Sequence, residues 1–322
     1  MKFDALKVRK ILIISLSNIG DCVLTFPVID ILKEHFPQSE VSIVVGPKAQ
    51  GLFKGNPHFK EIYIFDKHAP MLKQMSWVLN LRKEHFDLAV DLRHTAIPIL
   101  IGAKYRTPLI KTKSEALHKR FHHLARLKAV VDFKKLSPKR FCLRVEQNDE
   151  QLIDQIIKLR IDVGQKFVIL SPGAADQSKR WSEENFAALA DRLISDHQFK
   201  VVFVGDNLDA ALIRRILGKM RGAAIDFSGQ ITLTQLAQLL QMSSLVIAND
   251  SAVMHMASYL DLSVVALFGP TDPKLYGPWS SKSVVLRNNA ACPKCLDPKS
   301  DRVHDCLTHI PVNEVLSKIS NV

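Results

Sequence analysis

Leu245–His255, LVIANDSAVMH, carries the clearest strand–loop–helix pattern of the chain. Its short apolar run ends in Asn249-Asp250-Ser251 and gives way to a helical pattern, which is typical of a buried strand, a tight loop and a helix start. Ligands of parallel sheets bind outside such strand ends. We predict that Asp250 caps the helix and that the backbone N–H groups behind it favour an anion such as phosphate.

Two side chains of the same stretch are candidates for contacting that anion. Ser251 and His255 are four residues apart, so a single helix face would carry a hydroxyl and an imidazole. An ordinary helix cap followed by a core histidine would give the same pattern, and the stretch alone does not separate these two interpretations.

Strand and helix patterns alternate on both sides of this stretch, which predicts an α/β fold. The 322 residues exceed the usual size of one core and favour two domains. We place the connection at the predicted helix Asn148–Arg160, which gives two Rossmann-like, doubly wound parallel-sheet domains over 1–150 and 151–322. The last predicted helix, Val312–Ile319, is a candidate for packing back on the N-terminal domain.

Composition excludes several classes of protein. No apolar run approaches the roughly 18 residues that span a bilayer, and the apolar part of the N-terminus is too short for a signal peptide. The five cysteines without a secretion signal indicate a reducing compartment, so we expect a cytoplasmic protein. Neither a G-x-G-x-x-G fingerprint after a strand nor a P-loop occurs, which argues against a dehydrogenase or P-loop NTPase.

The net charge of +12 is concentrated in one segment. Residues 102–144 contain 13 Lys and Arg against two acids, Glu115 and Asp132, and therefore carry +11. Such a patch implies an anionic partner: nucleic acid, an acidic membrane surface or a phosphorylated substrate. A solvated basic surface without a partner is the alternative.

Polar residues follow the first strand of each half. Ser17-Asn18-Ile19-Gly20-Asp21 offers a flexible glycine and a carboxylate, which is either a helix-start residue favoured by the dipole or a base. Ser171–Trp181, SPGAADQSKRW, places the cation of Lys179 near the same sheet edge as Asp250, where it could neutralise a diphosphate. Asn207 and Thr271 lie in the loops after two further strands.

Four segments in this order resemble glycosyltransferase family 9, the ADP-heptose:lipopolysaccharide heptosyltransferases. They are KILIISLSNIGDCVLTFP (10–27), SPGAADQSKRWSEENFAALA (171–190), NDSAVMHMAS (249–258) and VVALFGPTDP (264–273). The resemblance implies the GT-B fold, in which two Rossmann-like domains face a cleft, the N-terminal one binding acceptor and the C-terminal one the nucleotide sugar.

The resemblance also implies roles for individual residues. Asp21 would be the general base of an inverting transfer, and Lys179 would bind the phosphates of the donor. The implied donor site consists of Gly20, Lys179, Asn207, Asp250, Ser251, Ala252, His255 and Thr271. No metal and no cofactor other than the ADP-heptose donor is expected. The segment RHTAIPIL (93–100) departs from the family's common acceptor-side pattern.

The acceptor implied by the resemblance is the anionic inner core of lipopolysaccharide, reached from the cytoplasmic face of the inner membrane. The basic segment would then meet acceptor or membrane surface through Lys104, Arg106, Lys111, Lys113, Lys119 and Arg120. A family 9 enzyme with another sugar or a protein acceptor is the first alternative. A non-catalytic nucleotide- or nucleic-acid-binding protein is the second, although the basic segment is poor in the aromatic residues that stack on bases.

The C-terminal part holds a weak metal candidate. Cys292 and Cys295 have C-x-x-C spacing and are followed by His304 and Cys306, a set that could complete a tetrahedral zinc or iron site. A reduced, packed cysteine loop is the interpretation that we favour. Cys22 and Cys142 are predicted to be structural.

Overall fold

A computed structural model describes residues 7–110, 118–137, 139–287, 292, 294 and 306–319. The chain divides into two compact units, Met1–Glu146 and Gln147–Val322. Each unit is built on its own parallel sheet with helices between successive strands. The predicted α/β fold with two doubly wound, Rossmann-like domains is confirmed.

The first unit has a five-stranded sheet in the order β3-β2-β1-β4-β5. Its strands are β1 (Lys10–Ile14), β2 (Glu40–Val45), β3 (Ile62–Ile64), β4 (Leu88–Asp91) and β5 (Tyr105–Arg106). Its helices are α1 (Ile19–Val23), α2 (Phe26–His35), α3 (Met71–Arg82), α4 (Ile97–Leu100) and α5 (Lys119–Lys128), with a 3-10 helix over Pro47–Leu52. The central strand β1 is apolar and almost fully buried because neighbours cover both its edges and faces.

The helical pattern over 22–36 predicts one helix, but the structure has two. Pro27 has no N–H group to donate to the carbonyl of Val23, so the helix cannot continue through this point. The Thr25 hydroxyl instead donates to the Cys22 carbonyl at 2.6 Å. The break ends α1 after one turn.

The sequence of residues 102–144 has less regular strand and helix patterns than the rest of the chain, but the structure has two elements there. These are β5, which pairs with β4 through two residues, and the ten-residue helix α5. The side chain of His118 accepts from the Arg120 N–H and caps α5. Leu124 and Leu127 are buried together with one cation of the helix, Arg126, whereas Lys119, Arg120 and Lys128 keep contact with solvent.

The second unit has a six-stranded sheet in the order β11-β10-β9-β6-β7-β8. Its strands are β6 (Phe167–Ser171), β7 (Lys200–Phe203), β8 (Ile225–Asp226), β9 (Leu245–Asn249), β10 (Val264–Phe268) and β11 (Ser283–Arg287). Its helices are α6 (Gln147–Arg160), α7 (Glu183–Ser195), α8 (Ala210–Lys219), α9 (Leu233–Met242), α10 (Ala252–Tyr259), α11 (Pro273–Tyr276) and α12 (Val312–Ser317), with a 3-10 helix over Gln177–Lys179.

Local sequence explains where the long helices of this unit begin. Ser182 accepts from the Asn185 N–H at the start of α7, and Thr232 forms a reciprocal capping box with Gln235 at the start of α9. Both motifs satisfy N–H groups that a helix leaves unpaired.

The last helix of the chain belongs to the second unit. Helix α12 packs on α7, and Val315 and Leu316 lie in the core of the second unit. The Trp181 indole N–H also donates to the Ile310 carbonyl at 3.0 Å. Apolar burial and this hydrogen bond hold the C-terminal segment in the second unit.

Among the described residues, no helix is both long enough and apolar enough to cross a bilayer.

Candidate functional site

The site in the second unit lies where the strand order reverses. From β6 the chain adds β7 and then β8 on one side of the sheet. It then crosses to the other side of β6, where it adds β9, β10 and β11. Ligands of doubly wound sheets bind outside the carboxyl ends of the two strands at such a point. The loop 172–181 follows β6, and Asp250 and Ser251 follow β9.

An ion pair joins these two loops. Lys179 Nζ lies 2.7 Å from Asp250 Oδ2, and the Asp250 side chain is 7% exposed against 31% for Lys179. The buried carboxylate therefore holds the ammonium group at the sheet edge while part of the lysine still faces solvent. Because the ion pair already orders the lysine side chain, its ammonium group can bind an anionic ligand without a further loss of side-chain freedom.

The prediction that Asp250 caps α10 is wrong. Ser251 is the N-cap residue, with extended backbone (φ −146°, ψ 172°), and Asp250 is committed to Lys179. The Ser251 hydroxyl makes no capping hydrogen bond, and its buried oxygen has no partner among the residues that the structure describes. The first N–H groups of α10 thus keep the anion-binding character of a helix N-terminus.

Asn249 fixes the loop after β6 against the end of β9. Its side-chain amide donates to the Pro172 carbonyl at 2.8 Å and accepts from the Trp181 N–H at 3.3 Å. Trp181 itself is buried against Phe186, with ring centroids 5.1 Å apart. Asn249 is fully buried, and the sequence does not reveal that it anchors the lysine-bearing loop.

His255 lies one turn into α10, behind the ion pair. Its Nε2 is 4.0 Å from Asp250 Oδ1, and its ring stacks on Trp279 with centroids 6.1 Å apart. The imidazole is buried. His255 therefore lies next to the Asp250 carboxylate of the ion pair, and stacking on Trp279 fixes the orientation of its ring.

Two neighbouring loops complete the edge. A Cβ atom at Gly269 would lie 3.1 Å from the Ser178 carbonyl, so the loop that contains Thr271 approaches the lysine loop closely. Thr271 is half-buried. On the other side, Asn207 is exposed after β7 and reaches Gly229, where a Cβ would lie 2.1 Å from its side-chain oxygen.

Arg180 is the second cation of the loop that carries Lys179, and Asp209 is a nearby carboxylate that sequence patterns do not single out. Arg180 donates twice to the Ala174 carbonyl and lies 3.9 Å from Asp209. Burial, reinforced by the nearby Asp206 carboxylate, raises the pKa of Asp209. A Cβ at Gly173 would lie 2.1 Å from Asp209 Oδ2, so a larger residue there would displace the Asp209 carboxylate. No sequence pattern indicates that the half-buried Asp209 carboxylate lies against Gly173.

In the first unit, Asp21 lies beside the corresponding reversal point, between β1 and β4. It is half-buried in the first turn of α1, and the Asn18 side-chain amide donates to its Oδ2 at 3.1 Å. Gly20 precedes it within the same turn. A carboxylate oriented by one amide and still reached by solvent is suited to accepting a proton.

The loop after β4 forms a polar cluster that the sequence analysis did not identify. The buried Asp91 carboxylate accepts from the Arg93 N–H at 2.7 Å and from the Thr95 N–H. Buried Arg126 of α5 donates to the Asp91 carbonyl at 2.9 Å and to His94 Nδ1 at 2.6 Å. Burial lowers the pKa of both Arg93 and Arg126. Arg126 is thus a structural part of the basic segment.

The predicted acceptor-side cations do not all have the same setting. Lys104 and Arg106 line an open cavity of about 420 Å³ that also includes Thr95 and Ile99. Lys119 is at the first position of α5, and the Arg120 guanidinium stacks on Phe121 at 4.5 Å. Lys111 and Lys113 lie outside the described residues.

The metal candidate is not testable as a set, because Cys295 and His304 lie outside the described residues. Cys292 and Cys306 are both buried. Within the described part of the chain, no group of three or more His, Cys, Asp or Glu side chains could hold a metal ion. Burial raises the pKa of Cys22 to about 12, as expected of a structural thiol.

Comparison with known proteins gives concordant matches. The family model described as "Glycosyltransferase family 9 (heptosyltransferase)" matches residues 77–304. The chain is 25% identical to Lipopolysaccharide heptosyltransferase 3 of Escherichia coli, over 94% of this chain and 96% of the relative.

Solved structures share the fold along the whole chain. A glycosyl transferase family 9 structure from Veillonella parvula superposes with a TM-score of 0.84 at 20% identity, covering 100% of this chain and 99% of that one. ADP-heptose lps heptosyltransferase II of E. coli superposes with a TM-score of 0.78 at 21% identity, covering 97% and 98%.

Proposed function

We propose a donor, an acceptor and a mechanism for this chain, which belongs to glycosyltransferase family 9 and is a glycosyltransferase. The proposed reaction transfers a heptose from ADP-heptose to the inner core of lipopolysaccharide, with inversion at the anomeric carbon. The family description names heptosyl transfer, and the curated relatives are named as lipopolysaccharide and lipooligosaccharide heptosyltransferases.

The observation that carries the proposal is the Lys179–Asp250 ion pair at the N-terminus of α10. An ADP leaving group gains negative charge as the glycosidic bond breaks, and this charge is stabilised by a cation and by N–H groups that already point outward. The chain's own groups thereby supply what a divalent ion supplies in other glycosyl transfers.

In this mechanism Asp21 is the general base. The acceptor hydroxyl oxygen attacks the anomeric carbon, the bond from that carbon to the phosphate oxygen breaks, and ADP leaves with the bonding electrons. The Asp21 carboxylate takes the hydroxyl proton. A carboxylate is a weak base for a resting alcohol, but the hydroxyl becomes strongly acidic as it bonds to the cationic carbon.

The acceptor side is assigned on charge. The inner core of lipopolysaccharide carries acidic sugars and phosphate, and Lys104, Arg106, Lys119 and Arg120 are cations of the first unit that could meet them. We further propose that the enzyme works at the inner face of the cytoplasmic membrane, where a lipid-borne acceptor is presented.

Donor and acceptor are tested together by the release of the matching nucleoside diphosphate (ADP, UDP or GDP) from a panel of nucleotide sugars. ADP-heptose should be turned over only when lipopolysaccharide that lacks heptose is added, and UDP- and GDP-sugars should give no acceptor-dependent release. Turnover of another sugar nucleotide, or of ADP-heptose with a protein acceptor, would overturn the substrate assignment and leave the family assignment intact.

A further inference from the structure

An exposed apolar stripe runs along α3, on the side of the helix that the core does not use. Met71, Leu72, Met75 and Leu79 are 77%, 80%, 56% and 58% exposed. At 3.6 residues per turn they fall within a sector of about 100°. The core-facing residues of the helix are Gln74, Trp77, Val78 and Leu81, which occupy a separate sector. Helix stability does not require the exposed stripe, since the buried face already packs on the sheet.

The stripe has an apolar extension next to it. Helix α3 packs against α4, whose Ile99 and Leu100 are about half exposed. A short way along the chain, Leu109 and Ile110 are also exposed. Scattered apolar side chains are normal on a surface, but a group of large ones on two packed helices marks a contact surface.

The charged side chains within the segment that carries the stripe are all cations, and the acids Asp66 and Glu84 lie just outside it. Residues 67–83 contain Lys67, Lys73, Arg82 and Lys83 and no Asp or Glu. Next to α4, Lys104 and Arg106 follow in sequence, again without an acid between residues 92 and 114. Exposed leucine and methionine side chains with lysine and arginine beside them are typical of a helix that lies in the interface of an anionic bilayer.

We propose that the exposed stripe of α3, with Ile99 and Leu100 of α4, docks this enzyme onto an anionic phospholipid surface. The apolar side chains enter the boundary between headgroups and acyl chains, and the flanking cations contact lipid phosphates. An acidic protein surface would attract the cations but would not provide an apolar layer into which four long apolar side chains could insert. The benefit of docking rests on the proposed lipid-borne acceptor, whereas the docking itself does not.

The test is cosedimentation of the full chain with phosphatidylglycerol–phosphatidylcholine vesicles and with pure phosphatidylcholine vesicles. The wild type should bind the anionic vesicles and lose most of this binding in high salt. The double variant Leu72→Ser with Leu79→Ser should bind at least about tenfold more weakly, because two apolar side chains no longer leave water. The double charge variant Lys73→Glu with Arg82→Glu should show a comparable loss.

A matched control is available in the second unit. Leu159→Ser with Val163→Ser also replaces two exposed apolar side chains, at positions 85% and 106% exposed, and should bind vesicles as the wild type does. Thermal unfolding and circular dichroism of each variant check that the fold is kept, which is expected because all the replaced side chains are exposed.

Equal vesicle binding by the α3 variant and the control would overturn the docking proposal. So would a concentration-dependent dimer that the α3 variant alone abolishes, because the stripe would then cover a second copy of the chain. Transfer to an acceptor freed of its acyl chains should be equal in the wild type and the α3 variant. Lack of all transfer together with α3-dependent vesicle binding would reject the proposed function and keep the docking surface.

Discussion

Lys179 Nζ lies 2.7 Å from Asp250 Oδ2 across 71 residues of sequence, and the pair joins the loops that follow two adjacent strands, β6 and β9. The pairing ties the lysine to the N-terminus of α10, so that a cation and a row of backbone N–H groups meet at one strand edge. A cation and backbone N–H groups placed together in this way favour the binding of a nucleoside diphosphate.

Removing the cation should therefore impair turnover and stability together. Lys179→Met is expected to lower kcat by about 100-fold, since it deletes one group that stabilises the leaving diphosphate. It also leaves a buried carboxylate unpaired, at a cost of about 1–3 kcal/mol in the free energy of unfolding. Steady-state kinetics and urea unfolding measure the two effects, with Lys158→Met on the exposed face of α6 as the control.

The double variant Lys179→Met with Asp250→Asn separates those two effects. It should recover most of the lost stability, because no uncompensated charge remains, and none of the lost turnover. Recovered turnover would show that the lysine serves only to neutralise Asp250.

Acid should destabilise the protein through His123 on α5. Burial, together with the nearby cations and histidines, lowers the pKa of His123 to about 4, from about 6.5 in an unfolded chain. The folded state therefore favours the neutral ring. This contribution is fully present above pH 6.5 and is lost as the pH falls from 6.5 towards 4, by up to about 3 kcal/mol. Urea unfolding of His123→Gln between pH 4 and 7 should show a flatter pH dependence than the wild type, and parallel curves would contradict the assignment.

Two glycines with open space around them should respond in opposite directions to alanine. Gly218, near the end of α8, has room for a Cβ and ordinary helical backbone. Gly218→Ala should therefore raise the free energy of unfolding by about 0.5–1 kcal/mol. Gly164 also has room, but its φ of +83° is a conformation that residues with a Cβ rarely adopt. Gly164→Ala should therefore lower the free energy of unfolding by about 1 kcal/mol. Thermal unfolding of both variants checks the pair, and a rise in Tm for Gly164→Ala would contradict the backbone argument.

Much of the fold was predictable from apolar patterning and capping residues. The sequence pattern predicts helices over Glu183–Ser195 and Leu233–Met242, and the structure has both with these bounds, because Ser182 and Thr232 are strong N-cap residues in front of clear helical periods. Helix α5 was missed because histidine at its N-cap and a run of cations gave no such signal. Strand β11, SVVLR, is too short and too mixed to stand out from a loop.

The candidate site was predictable in its residues but not in their partners. The segments around Lys179 and Asp250 were identified, yet the sequence favoured Asp250 as a cap because a polar residue before a helix usually has that role. Burial of Asp250 against a distant lysine depends on which strands are neighbours, and sequence order does not supply that information. The same holds for Asn249 and for the Asp91–Arg126 cluster.

The most direct test of the central claim, heptosyl transfer with Asp21 as base, is acceptor-dependent ADP release by wild type and Asp21→Asn, measured together with ADP affinity. We expect release by the wild type only with heptose-deficient lipopolysaccharide. We also expect a loss of about 100-fold or more in kcat for Asp21→Asn, with unchanged ADP affinity. Asp66→Asn, an exposed carboxylate elsewhere in the first unit, should behave as the wild type. Full activity of Asp21→Asn, or absence of acceptor-dependent release by the wild type, would contradict the claim.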